Sequence, residues 1–103
     1  ERVNELMRRE LVLLLKQEIK DPRLKQVVIT DVIVSRDLTS AKVFFSVDAD
    51  SNKIVVSLLN KASGFFRSSL SKTLDLRHTP TLSFIYDTTP NTGARIDDLL
   101  SKL

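Results

Sequence analysis

The chain has 103 residues, 42% of them hydrophobic, which suffices for one domain with a core of its own and no covalent staples. There is no cysteine, so disulfides and thiolate metal sites are excluded, in keeping with a reducing compartment. The net charge of +3 is unevenly placed: residues 1–51 balance, residues 81–103 are slightly acidic, and residues 52–80 hold Lys53, Lys61, Arg67, Lys72 and Arg77 against Asp75 alone. An excess gathered in one stretch is what a polyanionic partner selects.

Residues 2–20 read as an amphipathic helix, with Val3, Met7, Leu11, Leu14, Leu15 and Ile19 at steps of three and four. Val12 and Leu13 widen the apolar stripe and predict a well-buried helix. Glu5 and Arg9 stand four apart on a wetter face. Asp21-Pro22 ends the helix, because the residue before proline avoids the α region. The longest apolar run, Leu11 to Leu15, is far shorter than the ~20 residues that span a bilayer. The opening Glu-Arg-Val-Asn-Glu lacks the pattern of a signal peptide. A cytoplasmic protein with no membrane partner is expected.

Two strands follow. Residues 27–35 are β-branched almost throughout. Strict alternation puts Val27 and Ile29 on one face and Val32 and Val34 on the other, whereas a bulge near Thr30-Asp31 gathers all four on one side. In residues 40–48, Ala41, Val43, Phe45 and Val47 alternate with Lys42, Ser46 and Asp48. The short polar link Arg36-Asp37-Leu38-Thr39 predicts an antiparallel hairpin.

A second helix, capped by Asp50 or Ser51, carries Ile54, Val55, Leu58, Leu59 and Ala62 at helical spacing. A third runs from about Phe65 to Leu74, with Phe66, Leu70 and Leu74 in one stripe. Gly64 lies between the two, where a glycine lets the backbone bend or another chain approach. Thr79-Pro80 breaks the chain before a strand at 81–87, in which Leu82, Phe84 and Tyr86 alternate. After Pro90, Thr92 caps a last helix with Ile96, Leu99, Leu100 and Leu103 on its apolar face. A three-stranded sheet with helices on one face is the simplest packing.

These segments resemble the ribosome-binding factor A family. Arg8-Arg9-Glu10-Leu11 is similar to its first-helix signature and Lys20-Asp21-Pro22-Arg23-Leu24 to its helix-ending motif. Thr30-Asp31-Val32, Val34-Ser35-Arg36-Asp37-Leu38 and Ala41-Lys42-Val43 are similar to its hairpin, and Asn60 to Arg67 to its kinked helix pair. Leu76 to Phe84, Tyr86-Asp87 and Gly93 to Asp97 are similar to its last strand and tail. A second helix poorer in acidic residues is the one departure. The resemblance implies an α+β fold of the type II KH kind, helix-strand-strand-helix-kink-helix-strand plus a C-terminal helix. One KH-like RNA-binding domain would span residues 1–103. Ala62-Ser63-Gly64 would stand where ordinary KH domains carry a Gly-x-x-Gly loop that clamps nucleotide backbones. It further implies a bacterial, non-catalytic maturation factor that binds the immature small ribosomal subunit and its rRNA. Such factors assist late folding and end-processing and support growth in the cold. They need no cofactor and no small-molecule substrate, and the chain is expected to be a monomer.

Any single Lys or Arg of the middle segment reads as ordinary solvated surface. Together they read as an electrostatic footprint. Arg67 and Ser71, and Ser68 and Lys72, are spaced by four and avoid the apolar stripe, so hydroxyls interleave with cations as phosphate oxygens require. The RNA-binding candidates are Lys61, Ala62, Ser63, Gly64, Arg67, Ser68, Lys72 and Arg77. Gly64 could merely terminate the second helix. Alternatively, small residues there admit an RNA backbone to the amides of the third helix, whose N-terminus favours anions. Arg8, Arg9 and Arg36 are peripheral candidates, although Glu5 and Glu10 suggest ion pairs for the first two.

His78, the only histidine, lacks companions for a zinc site and reads as a loop residue. Phe44 and Ile85 face away from the helices, either as a stacking platform or packed under the terminal helix or a partner. Catalysis finds no footing. There is no Gly-rich phosphate loop, and Asp97-Asp98 diverge by about 100° on a helix. Asp31 and Asp37 could flank a metal, which leaves a nuclease as a remote third reading. The alternative from another class is a protein-interaction domain that uses the sheet face and the terminal helix.

Overall fold

The computed structural model describes residues 2–74 and 78–88. They form α1 (Arg2–Gln17), α2 (Pro22–Lys25), β1 (Val28–Val34), β2 (Ser40–Ser46), α3 (Asn52–Lys61), α4 (Ser63–Leu74) and β3 (Thr81–Tyr86). The anticipated last helix, with Thr92, Ile96, Leu99, Leu100 and Leu103, lies outside the described residues, as do Arg77, Asp97 and Asp98.

The first helix stops at Gln17, three residues earlier than its periodicity suggested. Asp21-Pro22 then begins a helix as well as separating one. The Asp21 carboxylate accepts from the Arg23 amide at 2.9 Å, and Pro22 fills the first helical position, where a missing N–H costs nothing. The Arg23 guanidinium closes on the same carboxylate at 2.9 Å and holds the Asp21 carboxyl below its ordinary range. This four-residue α2 buries Leu24 and swings the chain into β1.

β1 and β2 pair antiparallel, with a register shift between Ile29 and Asp31. The bulge at Thr30 is therefore real, and it settles the parity of the strand. Ile29 and Val32 are buried, and Val27 and Val34 pack against the same core. β3 lies parallel to β2, so the sheet order is β1-β2-β3, and α3 and α4 make the long crossover that a parallel pair requires.

One face of the sheet carries the core. Ala41, Val43 and Phe45 from β2 and Leu82 and Phe84 from β3 meet Met7, Leu11, Leu14 and Leu15 of α1, Val55 and Leu59 of α3, and Phe66 and Leu70 of α4. Phe66 leans on Phe84 with ring centroids 5.6 Å apart, and Phe45 on Tyr86 at 5.9 Å. Asn4 accepts from the Val34 amide at 3.0 Å and pins the start of α1 to the end of β1.

On the opposite face, Asp31, Phe44 and Ile85 line up across the three strands, and Phe44 and Ile85 are half-buried. The architecture is α+β and KH-like, with the described helices on a single sheet face. Leu13 departs from expectation. It is 40% exposed, because the apolar stripe of α1 is narrower than the run of leucines implied.

Candidate nucleic-acid interface

The bend between α3 and α4 sits at Ala62, not at Gly64. Ala62 takes φ −88° and ψ 1°, and its amide reaches both the Leu58 and Leu59 carbonyls at 3.1 Å, so α3 ends by tightening its last turn. α4 starts at once. The Phe66 amide donates to the Ala62 carbonyl at 3.1 Å, which places Ser63 and Gly64 inside the first turn. Gly64 has no positive φ and so does not terminate α3. A Cβ built on it would meet nothing within 4 Å. Its lack of a side chain serves neither the backbone geometry nor the internal packing; it leaves open surface.

The 3.6-residue repeat sorts the rest of α4. Phe66 and Leu70 point into the core. Gly64, Ser68 and Lys72, spaced by four, form an exposed row about 12 Å long on the solvent side. Lys61 is exposed just before the bend. Lys53, Lys61 and Lys72 take no part in the ion pairs found among the described residues, which are Glu5–Arg8 and Asp21–Arg23.

Arg67 lies on the flank of this row and is already engaged. Its Nε donates to the Pro80 carbonyl and its Nη2 to the Thr79 carbonyl, both at 3.1 Å. Arg67, a candidate RNA contact in the sequence, thus clamps the segment entering β3 to α4. Arg36 belongs to the same end of the sheet, since the Thr81 amide donates to Thr39 in the hairpin link at 3.0 Å. Arg8 is paired with Glu5 at 2.9 Å, and this hydrogen bond pulls the Glu5 carboxyl below its ordinary value. Arg9 is exposed on α1. His78 is exposed just before β3. Among the described residues no group of three or more acidic or histidine side chains is placed to hold a metal ion. No helix among them is long and apolar enough to cross a membrane.

The family model described as ribosome-binding factor A matches residues 1–100. The chain belongs to the ribosome-binding factor A family. It is 66% identical over its whole length to ribosome-binding factor A of Vesicomyosocius okutanii, of which it covers 90%. The crystal structure of ribosome-binding factor A from Thermus thermophilus superposes with a TM-score of 0.77 over 87% of this chain and 97% of that one, at 20% identity. Coordinates of the Thermus thermophilus factor fitted into the cryo-electron-microscopy map of a 30S complex give a TM-score of 0.70, at 21% identity, over 84% of this chain and 94% of that one.

Sequence reasoning passed over Phe65. It is 42% exposed beside the bend, on the flank of α4 that faces α1. The available signal was that Phe65 falls off the stripe of Phe66, Leu70 and Leu74.

Proposed function

We propose that this chain is a cytoplasmic, non-catalytic assembly factor, a single KH-like RNA-binding domain that binds rRNA of the immature small ribosomal subunit and assists its late maturation and end-processing. The observation that carries the reading is the exposed row Gly64, Ser68 and Lys72 beside Lys61, built on a helix that opens with the small residues Ser63 and Gly64. Lys61 and Lys72 supply charge, Ser63 and Ser68 supply hydroxyl donors, and Ala62 and Gly64 let a phosphate backbone come close to the amides opening α4. Arg77 extends the cationic stretch in sequence. Arg67 contributes chiefly by bracing α4 against the β3 entry. A relative fitted into a 30S complex supports the same partner. The factor works by favouring one rRNA arrangement over another, with no cofactor or small molecule, and acts as a monomer.

The test is Lys61→Glu, Lys72→Glu and Arg77→Glu together, with Arg67 left in place so that the fold is kept. Co-sedimentation with immature subunits over a salt series should show weaker binding and a log–log salt slope shallower by about 2, at roughly 0.7 for each phosphate no longer neutralised. Binding with an unchanged slope puts the interface elsewhere. Association that survives complete RNA digestion favours a protein partner instead.

A further inference from the structure

We propose that the cleft between α1 and α4 receives one unpaired RNA base that bears an exocyclic amino group, stacked on Phe65. The inference rests on the RNA reading of the α4 row and names what lies beside the phosphates.

The cleft has a volume of about 290 Å³ and is lined by Glu10, Leu13, Glu18, Phe65 and Lys72 among others. Leu13 and Phe65 are two of the large apolar side chains that the core leaves exposed, and both open on this one space. Phe65 is held in place: its ring meets that of the fully buried Phe66 edge-on, with centroids 5.8 Å apart and planes at 60°. An aromatic fixed on one side and bare on the other is a ready platform for a base.

The polar lining specifies the occupant further. Glu10 and Glu18 line the cleft with carboxylate oxygens, which are hydrogen-bond acceptors. They repel phosphate and favour a ring that presents N–H groups. Cytosine offers N4–H₂, adenine N6–H₂ and guanine N2–H₂ to such acceptors, whereas uracil offers carbonyl oxygens in their place.

Lys72 resolves where the backbone goes. It lines the cleft and also ends the exposed row that begins at Gly64, so a strand following that row passes the mouth of the cleft. Its phosphate stays with Lys72 and Ser68 outside while the base turns inward. A basic peptide would suit the carboxylates and the ring, but it would meet the cations of Lys61 and Lys72 along the same path.

The experiment measures binding of hexacytidylate and hexauridylate by fluorescence anisotropy to the wild type and to Phe65→Leu, Glu10→Gln/Glu18→Gln and Lys61→Glu/Lys72→Glu. Wild type should prefer the cytidylate by roughly fivefold or more, the scale of one recognised base edge. Phe65→Leu keeps an apolar side chain but no π face. It should weaken both oligomers by roughly tenfold, the scale of one stacked base, with the salt slope unchanged. The glutamine pair should erase the preference for cytidylate. Equal binding of the two oligomers by wild type, or wild-type affinity in Phe65→Leu with its melting temperature intact, overturns the base pocket. So does wild type that sediments with immature subunits yet binds neither oligomer. Undiminished binding by Lys61→Glu/Lys72→Glu overturns the RNA path along α4 instead.

Discussion

The chain reverses sharply at Ser35–Thr39 and bends again at Ala62, and the two turns are built in opposite ways. In the hairpin link the Ser35, Asp37 and Thr39 side chains bond one another and the backbone. The Asp37 carboxylate accepts from the Ser35 and Thr39 hydroxyls, each at 2.8 Å, and from the Thr39 amide at 3.2 Å. The Ser35 hydroxyl in turn accepts from the Thr39 and Ser40 amides. This mesh holds Leu38 at φ 62°, a left-handed conformation that costs a branched residue roughly 1–2 kcal/mol. At Ala62, among the described residues, no side chain bonds the turn and no φ is positive. The bend is held from behind, by Phe66 seated in the core. A turn whose Ser35, Asp37 and Thr39 side chains are engaged with one another and with the backbone offers a partner little through those groups. A turn stabilised by packing beneath it keeps its outer atoms available.

Phe66→Ala tests the difference with the largest effect. The side chain is fully buried and packs on Phe84, so its loss should cost about 3–5 kcal/mol by urea unfolding. A small loss would mean that the bend is held by something other than its packing.

Opposite exchanges at the two turns sharpen the comparison. Leu38→Gly relieves a strained φ and, net of the added chain entropy, should stabilise by roughly 0.5–1 kcal/mol. Gly64→Ala places a methyl group in open space on a helix and should also stabilise by roughly 0.5–1 kcal/mol, read as a higher melting temperature. RNA that approaches Gly64 closely will then show as lost affinity in a better-folded protein.

The smallest effect is electrostatic. Hydrogen bonds from Ser35 and Thr39 hold the Asp37 carboxyl below its ordinary pKa of about 3.9. A depressed folded value means that the contribution is complete above that ordinary value and is lost as pH falls through the lower one. Asp37→Asn should therefore be less stable than wild type at neutral pH, with the gap closing below about pH 4. Glu5 and Asp21 titrate in both proteins and drop out of the difference. A gap that persists in acid shows that the mesh does not depend on the charge.

Patterns with a fixed period were readable from residues alone. The stripes of Met7 to Leu15 and of Phe66 and Leu70, and the alternation of Ala41, Val43 and Phe45, gave the elements and the core. Even the bulge at Thr30 was implied by the misplaced parity of four β-branched residues. Local chemistry that reuses one residue for two purposes was harder. Asp21 both follows one helix and caps another, and Ser51 does not cap α3 with its side chain because a 3-10 turn at Ala49–Ser51 leads into it. In the candidate interface, the pair Ser68 and Lys72 followed from helical spacing, whereas Gly64 joins their row only because α4 starts at Ser63, earlier than the sequence suggested. The occupation of Arg67 by the Thr79 and Pro80 carbonyls depends on groups more than ten residues away in sequence, which no local pattern encodes. Phe65 was hidden for the same reason, since its exposure is decided by where α1 crosses α4.

The parallel pairing of β2 with β3 also bears on how the protein is assembled. The hairpin needs only neighbouring residues and can form early. The third strand must wait until both crossover helices have been laid down, because closing a long chain loop precedes any gain from its contacts. Arg67 reaches its two carbonyls only when that strand arrives, so the helix that carries the proposed RNA row is clamped only after β3 has docked.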